Sequence, residues 1–296
     1  MIRLGIFVVS LVLLPLIGLW LSDSEWSTLT VDQPSPEVNI PATLLTSVML
    51  LGYIFLANHL VKLYTGNNPL SAQRKFNLAV AVASAVLGWL LAYLNHYVIN
   101  WIPVSGNLVL QALLYTPLFA LLAPAILSTR ALFGVFGELL KSLSNLVVIP
   151  SPNEEKTAFT LVAFSALGLL GGAALPEFLT ALLWLAPLLL LVALQLLWGE
   201  STIFSGIKWG DWGRVVCAAF AGIIVCNITL ITYQSNGGSV LVNSPSPFYM
   251  QFGFVIFGLL CLQLGDVIAE NWRGKTRTGH FKQKKKFPIP VVVKKN

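Results

Sequence analysis

The strongest constraint on this chain is a run of 43 residues, 157–199, that contains a single charged side chain, Glu177. As one α-helix the run would be roughly 60 Å long at about 1.5 Å per residue, which is about twice the thickness of a bilayer hydrocarbon core. The run therefore predicts two antiparallel membrane spans, with the turn at Pro176 and Glu177.

Composition extends this prediction to the whole chain. Of the 296 residues, 56% are apolar and only 10% are charged, whereas a soluble domain has about 25% charged residues. These values exclude a soluble globular protein, a disordered chain and a disulfide-stapled secreted module, and they disfavour a membrane β-barrel, whose strands alternate apolar and polar residues. We expect an all-α polytopic integral membrane protein with eight transmembrane helices, at about residues 4–21, 42–64, 77–99, 107–128, 157–175, 178–199, 215–233 and 248–269.

The basic residues predict the orientation of these spans. With the N-terminus in the cytoplasm, all 18 lysines and arginines fall in cytoplasmic segments, and the outside loops contain none. Because lysine and arginine are enriched in cytoplasmic loops, we expect both termini in the cytoplasm of a cell with a bacterial-type inner membrane. Residues 1–272 would then form one transmembrane domain, and residues 273–296 a basic cytoplasmic tail.

The first span has a second interpretation. Arg3, the apolar run after it and Ser22-Asp23-Ser24 together fit a signal peptide that is cleaved after Ser24. We favour a retained span, because the apolar run of 18 residues is longer than the apolar core of a usual signal peptide. Cleavage would leave seven spans with the same loop orientation.

A helix lying on the membrane is predicted between the fourth and fifth spans, at residues 131–147. Its polar side chains Glu138, Lys141, Ser142 and Asn145 recur at helical spacing, opposite a face of leucine and phenylalanine. Such a pattern is typical of an amphipathic helix in the plane of the inner leaflet. We favour a connector helix, and a sensor or docking helix is the alternative.

The inner ends of the spans hold the polar groups that are candidates for a site. Acidic, basic and amide side chains converge there with several tryptophans, and they could form a pocket for a lipid headgroup or a small amphipathic ligand. The alternative is an ordinary interfacial belt of aromatic and snorkelling charged side chains. The predicted pocket residues are His59, Lys62, Glu200, Asp211, Arg214, Gln263, Asp266 and Glu270.

We expect no catalytic residues, no cofactor and no metal site. His59 and His96 would lie near opposite ends of neighbouring antiparallel spans, roughly 20 Å or more apart by the helical rise, so they cannot share a metal ion. Cys217, Cys226 and Cys261 lie in apolar runs without paired ligand spacing, which is typical of buried thiols.

The tail at 273–296 contains nine basic residues and no acidic residue. Because the tail directly follows a span and has few aromatic residues, we expect it to contact anionic membrane lipid. A protein partner in a membrane complex is the other contact we consider, and binding to nucleic acid is disfavoured.

Three functions stay open, and the sequence does not decide whether the protein is an enzyme. We favour a non-catalytic membrane subunit or scaffold that presents its basic, tryptophan-rich cytoplasmic face to partners or anionic lipid. The first alternative is a membrane enzyme or flippase that acts on a lipid-like substrate at the inner-leaflet interface. The second is a small-solute transporter, which is disfavoured because no charged residue lies near the middle of a span.

Overall fold

The structure, a computed structural model, describes residues 2–21, 37–99, 107–144, 146–149, 154–240 and 247–273. Apart from Arg273, the predicted basic tail lies outside these residues, as does the predicted cleavage site after Ser24. The helices are α1 (Ile2–Leu21), α2 (Ile40–Thr65), α3 (Pro69–Ala72), α4 (Arg74–Val98), α5 (Leu108–Phe133), α6 (Gly137–Leu143), α7 (Glu154–Ala174), α8 (Pro176–Leu197), a 3-10 helix (Ile203–Trp209), α9 (Gly213–Ser235) and α10 (Pro247–Arg273).

The prediction of a polytopic helical membrane protein is confirmed. Among the described residues, seven helices are long and apolar enough to cross a membrane, namely α2, α4, α5 and α7–α10. Each of them covers one predicted span, with ends that differ by a few residues. The first predicted span, 4–21, also forms a helix, α1, and its role as an eighth span stays a prediction.

The charge-poor run at 157–199 forms α7 and α8, a close antiparallel pair with its turn before Pro176, as predicted. A Cβ atom on Gly168 would lie 2.6 Å from the Leu182 carbonyl oxygen, and one on Gly172 would lie 2.7 Å from the Leu183 Cβ atom. The glycines therefore let the two helices approach backbone to backbone, which is how small residues strengthen helix packing in lipid.

Helices α9 and α10 cross at a second pair of glycines. A Cβ atom on Gly222 would lie 2.7 Å from the Gly258 Cα atom, and one on Gly258 would lie 2.8 Å from the Gly222 Cα atom. This crossing leaves no room for any side chain. It brings the start of α9 beside the end of α10, where the polar residues of the candidate site lie.

The predicted amphipathic helix over 131–147 is wrong in its length. Residues 131–133 end α5, and the next helix, α6, covers only Gly137–Leu143. The break follows Gly134, whose backbone N–H caps α5 by donating to the Arg130 carbonyl at 3.1 Å. Two glycines within four residues lower the helix propensity at this point. The position of α6 in the inner leaflet stays a prediction.

The described lysines and arginines share one end of the helix bundle. Near this end, Asn58 of α2 donates a hydrogen bond to Ser128 of α5 at 2.7 Å. Glu154 at the start of α7 lies 3.8 Å from Lys208 in the loop before α9. We call this end of the bundle the basic end, and it carries Lys62, Arg74, Lys75, Arg130, Lys141, Lys156, Lys208 and Arg214.

Candidate functional site

Most of the predicted pocket residues meet at the basic end, where α8, the 3-10 helix, α9 and α10 come together. The residues at this junction are Glu200, Asp211, Arg214, Gln263, Asp266 and Glu270. The three residues on α10 follow one another at helical spacing on one face, and all three are buried. The structure therefore places this face against the protein interior.

Arg214 and Asp266 form a direct ion pair between the first turn of α9 and the C-terminal part of α10. The arginine side chain is 17% exposed and the aspartate side chain is 7% exposed. A charge-assisted hydrogen bond of this kind is stronger than a neutral one. Because both groups are largely removed from water, each compensates a charge that would otherwise be costly to bury.

Gln263 fastens the loop between α8 and α9 to α10. The backbone N–H of Ile203 donates to Gln263 Oε1 at 2.9 Å, and the glutamine is fully buried. Beside this bond, Thr202 and Ser205 form a capping box at the start of the 3-10 helix. The glutamine thus satisfies a backbone donor that no water can reach.

Glu200 and Glu270 lie in the interior beside Gln195, near the end of α8. Gln195 Nε2 donates to Glu270 Oε2 at 3.5 Å, and the backbone N–H of Glu200 donates to the Gln195 carbonyl at 2.9 Å. All three side chains are buried. The Gln195–Glu270 bond therefore joins α8 to α10, whereas Glu200 joins the loop after α8 to the end of α8 through its backbone.

A second set of bonds joins the loop after α6 to the loop before α9. Leu146 N donates to the Gly210 carbonyl at 3.1 Å, and Trp212 N donates to the Leu143 carbonyl at 3.0 Å. The indole Nε1 of Trp212 also donates to the Val147 carbonyl at 2.8 Å. Gly210 has a φ of 80°, and a Cβ atom there would lie 2.8 Å from the Leu146 carbonyl oxygen, so both backbone conformation and space require glycine.

The two bonded loops form one surface at the basic end, which we call the loop platform (residues 137–144, 146–149 and 198–212). The platform exposes large apolar side chains: Trp209 is 75% exposed and Val147 is 73% exposed. We call this exposed set the apolar rim, and it consists of Leu146, Val147, Val148, Ile149 and Trp209.

An open cleft of about 460 Å³ lies between the ends of α5 and α6 and the start of α9. We call it the basic cleft, and its lining residues are Arg130, Gly134, Leu140, Lys141, Ser144, Asp211, Gly213, Arg214 and Cys217. Asp211 Oδ1 accepts a hydrogen bond from the Gly213 N–H at 3.0 Å, which fixes this carboxylate at the entry to α9. The cleft lining thus contains three cationic side chains and one carboxylate.

His59 and Lys62 are placed differently from the other predicted residues. Both side chains are exposed on the last turns of α2. No hydrogen bond or ion pair in the described part of the chain joins either of them to the residues at the α8–α10 junction.

The sequence interpretation did not include three polar residues that line the basic cleft, namely Arg130, Lys141 and Ser144. Arg130 and Lys141 were used only to orient the chain and to define the amphipathic pattern. A usable signal was present, because both residues belong to one inner segment, while Asp211 and Arg214 belong to the next one along the chain.

The chain matches no family model, no curated protein and no solved structure. Among the residues that the structure describes, no group of three or more His, Cys, Asp or Glu side chains could hold a metal ion.

Proposed function

We propose that this protein is a non-catalytic integral membrane subunit whose loop platform docks a partner protein in a membrane complex. The proposal includes eight spans, with α1 as the first, and both termini on the cytoplasmic side of a bacterial-type inner membrane. Its topology is supported by the grouping of the described basic residues at one end of the bundle and by their enrichment in cytoplasmic loops of membrane proteins.

The observation that carries the proposal is how the polar residues of the junction are used. Gln263 holds the 3-10 helix, Asp266 holds the start of α9 through Arg214, and Asp211 caps the Gly213 N–H. Each of these three bonds fixes a loop or the start of a helix. A fixed platform is suited to docking, because less conformational entropy is lost when a partner binds a preorganised surface.

The apolar rim supports a protein as the docked partner. Its members lie outside the candidate spans and expose large apolar side chains, and Lys208 directly precedes Trp209 in the chain. Contiguous exposed apolar surface with a charged border is typical of protein interaction sites.

Site-specific photocrosslinking in membranes of the source organism tests this proposal. The probe is the substitution Trp209→benzoylphenylalanine on the rim, and the matched control is Phe178→benzoylphenylalanine, since Phe178 is 81% exposed at the opposite end of the bundle. We expect one discrete protein adduct from position 209 and not from position 178. Adducts to lipid alone at position 209, or the same protein adduct at both positions, would contradict the docking function.

A second candidate function is supported by the basic cleft. Its volume falls within the range of small-molecule pockets, about 300–1,000 Å³, and its charge suits an enzyme or flippase that acts on a lipid-like substrate. The test is to reconstitute the protein in phospholipid vesicles and follow lipid identity by mass spectrometry and lipid sidedness with a fluorescent analogue. Conversion or transbilayer movement that Asp211→Asn abolishes would favour this candidate over the subunit.

A further inference from the structure

We infer that the basic cleft is a binding site for a phosphate group, and that its occupant is the headgroup of an anionic phospholipid. This inference goes beyond the docking function, because a docking subunit needs no bound ligand, and it specifies the ligand of the cleft that supports the second candidate function. It concerns a different surface from the apolar rim, so the two can fail separately.

Arg130 is the residue that most strongly indicates an anionic ligand in the cleft. It lies near the end of α5, is half-buried, and lines the cleft. Its guanidinium forms no ion pair and no side-chain hydrogen bond with any residue that the structure describes. A partly desolvated guanidinium without a carboxylate partner is electrostatically costly, and a ligand phosphate would compensate it with two parallel hydrogen bonds.

The charged groups of the cleft, with Arg130 included, carry an excess of positive charge. Lys141 is exposed at the mouth, and Arg214 lines the wall while binding Asp266 behind it. Counting both carboxylates, Asp211 and Asp266, against the three cations still leaves one positive charge. A monoanionic phosphodiester would neutralise that excess.

The other polar groups of the cleft already form hydrogen bonds within the protein, so we assign phosphate binding to the cationic side chains. The hydroxyl of Ser144 donates to the Lys141 carbonyl at 2.8 Å, and the Gly213 N–H donates to Asp211. The cleft also opens at the first turn of α9, whose helix dipole favours a nearby anion.

The position of the cleft favours a lipid over a soluble phosphate. It lies at the basic end, between the last turn of α5 and the first turn of α9, both of which are candidate spans. Helix ends of this kind lie at headgroup depth in a bilayer. Leu140 and Cys217 supply apolar surface beside the cations, which suits the glycerol and upper acyl region of a lipid.

The experiment is native mass spectrometry of the purified full-length protein in detergent, titrated with defined ligands. The ligands are phosphatidylglycerol, a diacyl glycolipid with the same acyl chains but no phosphate, and inorganic phosphate. The variants are Arg130→Gln and Lys141→Gln. The matched control is Lys75→Gln, which removes the same charge from an exposed position at the start of α4 and outside the cleft lining.

We expect the wild-type protein to retain phosphatidylglycerol, and Arg130→Gln to weaken its binding about tenfold or more, since hydrogen bonds to charged groups are strong. Lys141→Gln should weaken it less, because Lys141 is exposed, and Lys75→Gln should leave it unchanged. Lys141→Gln keeps the test valid if Arg130→Gln fails to fold.

Two results would overturn the inference: equal retention of the phosphate-free glycolipid, or equal losses in the cleft variants and in Lys75→Gln. If inorganic phosphate at millimolar concentration displaced the lipid and bound as tightly by itself, the phosphate site would be supported and its lipid source rejected. Loss of the crosslink at position 209 with lipid binding intact would contradict the docking function and leave this site standing.

Discussion

Breaking the Arg214–Asp266 ion pair should destabilise the protein by about 3 kcal/mol, because removal of one partner leaves the other charge uncompensated in a largely buried position. The perturbation is Asp266→Ala, which removes the carboxylate that Arg214 binds. We use the lower end of the range for buried pairs, since the arginine side chain keeps 17% of its exposure to solvent. A loss of this size reduces the ratio of folded to unfolded protein by more than 100-fold, at about 1.4 kcal/mol for each factor of ten.

The double variant Arg214→Met with Asp266→Leu separates the ion pair from the space it fills. Replacing both charged groups by apolar side chains of similar volume removes the attraction and also the burial cost, so its stability should lie within about 1 kcal/mol of the wild type. The difference between the double variant and the sum of the single variants Arg214→Met and Asp266→Leu then measures the coupling of the two side chains.

Unfolding of the detergent-solubilised protein by sodium dodecyl sulfate, followed by circular dichroism, gives the free energies. The matched control is Glu154→Ala, which breaks the exposed pair with Lys208, where the two side chains are 62% and 37% exposed. That pair should contribute about 0.5 kcal/mol or less. If Asp266→Ala costs no more than Glu154→Ala, or if the double variant loses the full sum, the pair does not join α9 to α10 as reasoned here.

Three further outcomes test other parts of the molecule. Gly222→Val should destabilise the α9–α10 crossing by about 1–3 kcal/mol, measured by the same unfolding assay, whereas Gly52→Ala, where a Cβ atom meets open space, should not. An alkaline phosphatase fused after Asn296 should be inactive, because we expect the C-terminus in the cytoplasm, and an active periplasmic fusion would refute the eight-span topology. A peptide of residues 272–296 should bind vesicles with anionic lipid more tightly than neutral vesicles, since its nine basic residues would each contribute about 1 kcal/mol near the surface. This preference should be lost as salt rises, and salt-independent binding would indicate insertion of the peptide's apolar residues instead.

Hydropathy predicted the candidate spans because lipid leaves the backbone few alternatives to a helix. The turn at Pro176 was accessible for the same reason, since a run of 43 residues with one charge cannot cross a bilayer once. The α6 region shows where this approach stops. Between two candidate spans a continuous helix is not required, so Gly134 and Gly137 end and restart a helix that polar periodicity alone joins into one.

The end of the bundle at which a residue lies was predictable, whereas its position around the bundle was not. The predicted spans place Arg214 and Asp266 at the same end of the bundle, and in the structure the two side chains are in contact. The bond from Ile203 N to Gln263 depends on which helices are neighbours, and so does the presence of Arg130 on the cleft wall. Helical periodicity within one span carries no information on that order, which is why His59 and Lys62 were grouped with residues that they do not join.

The buried hydrogen bonds of the junction and the exposed apolar rim act on the same loop, the one before α9. Gln263 and the backbone of Leu146 both form hydrogen bonds with the loop before α9, whereas the Trp209 side chain on this loop is exposed and can contact a partner. Loosening the buried tie would let the 3-10 helix sample other conformations, and the partner would then lose binding free energy in ordering it. A substitution such as Gln263→Leu should therefore weaken docking at the rim without changing any rim residue. The polar residues that first suggested a ligand pocket would then act on function through the shape of the surface above them.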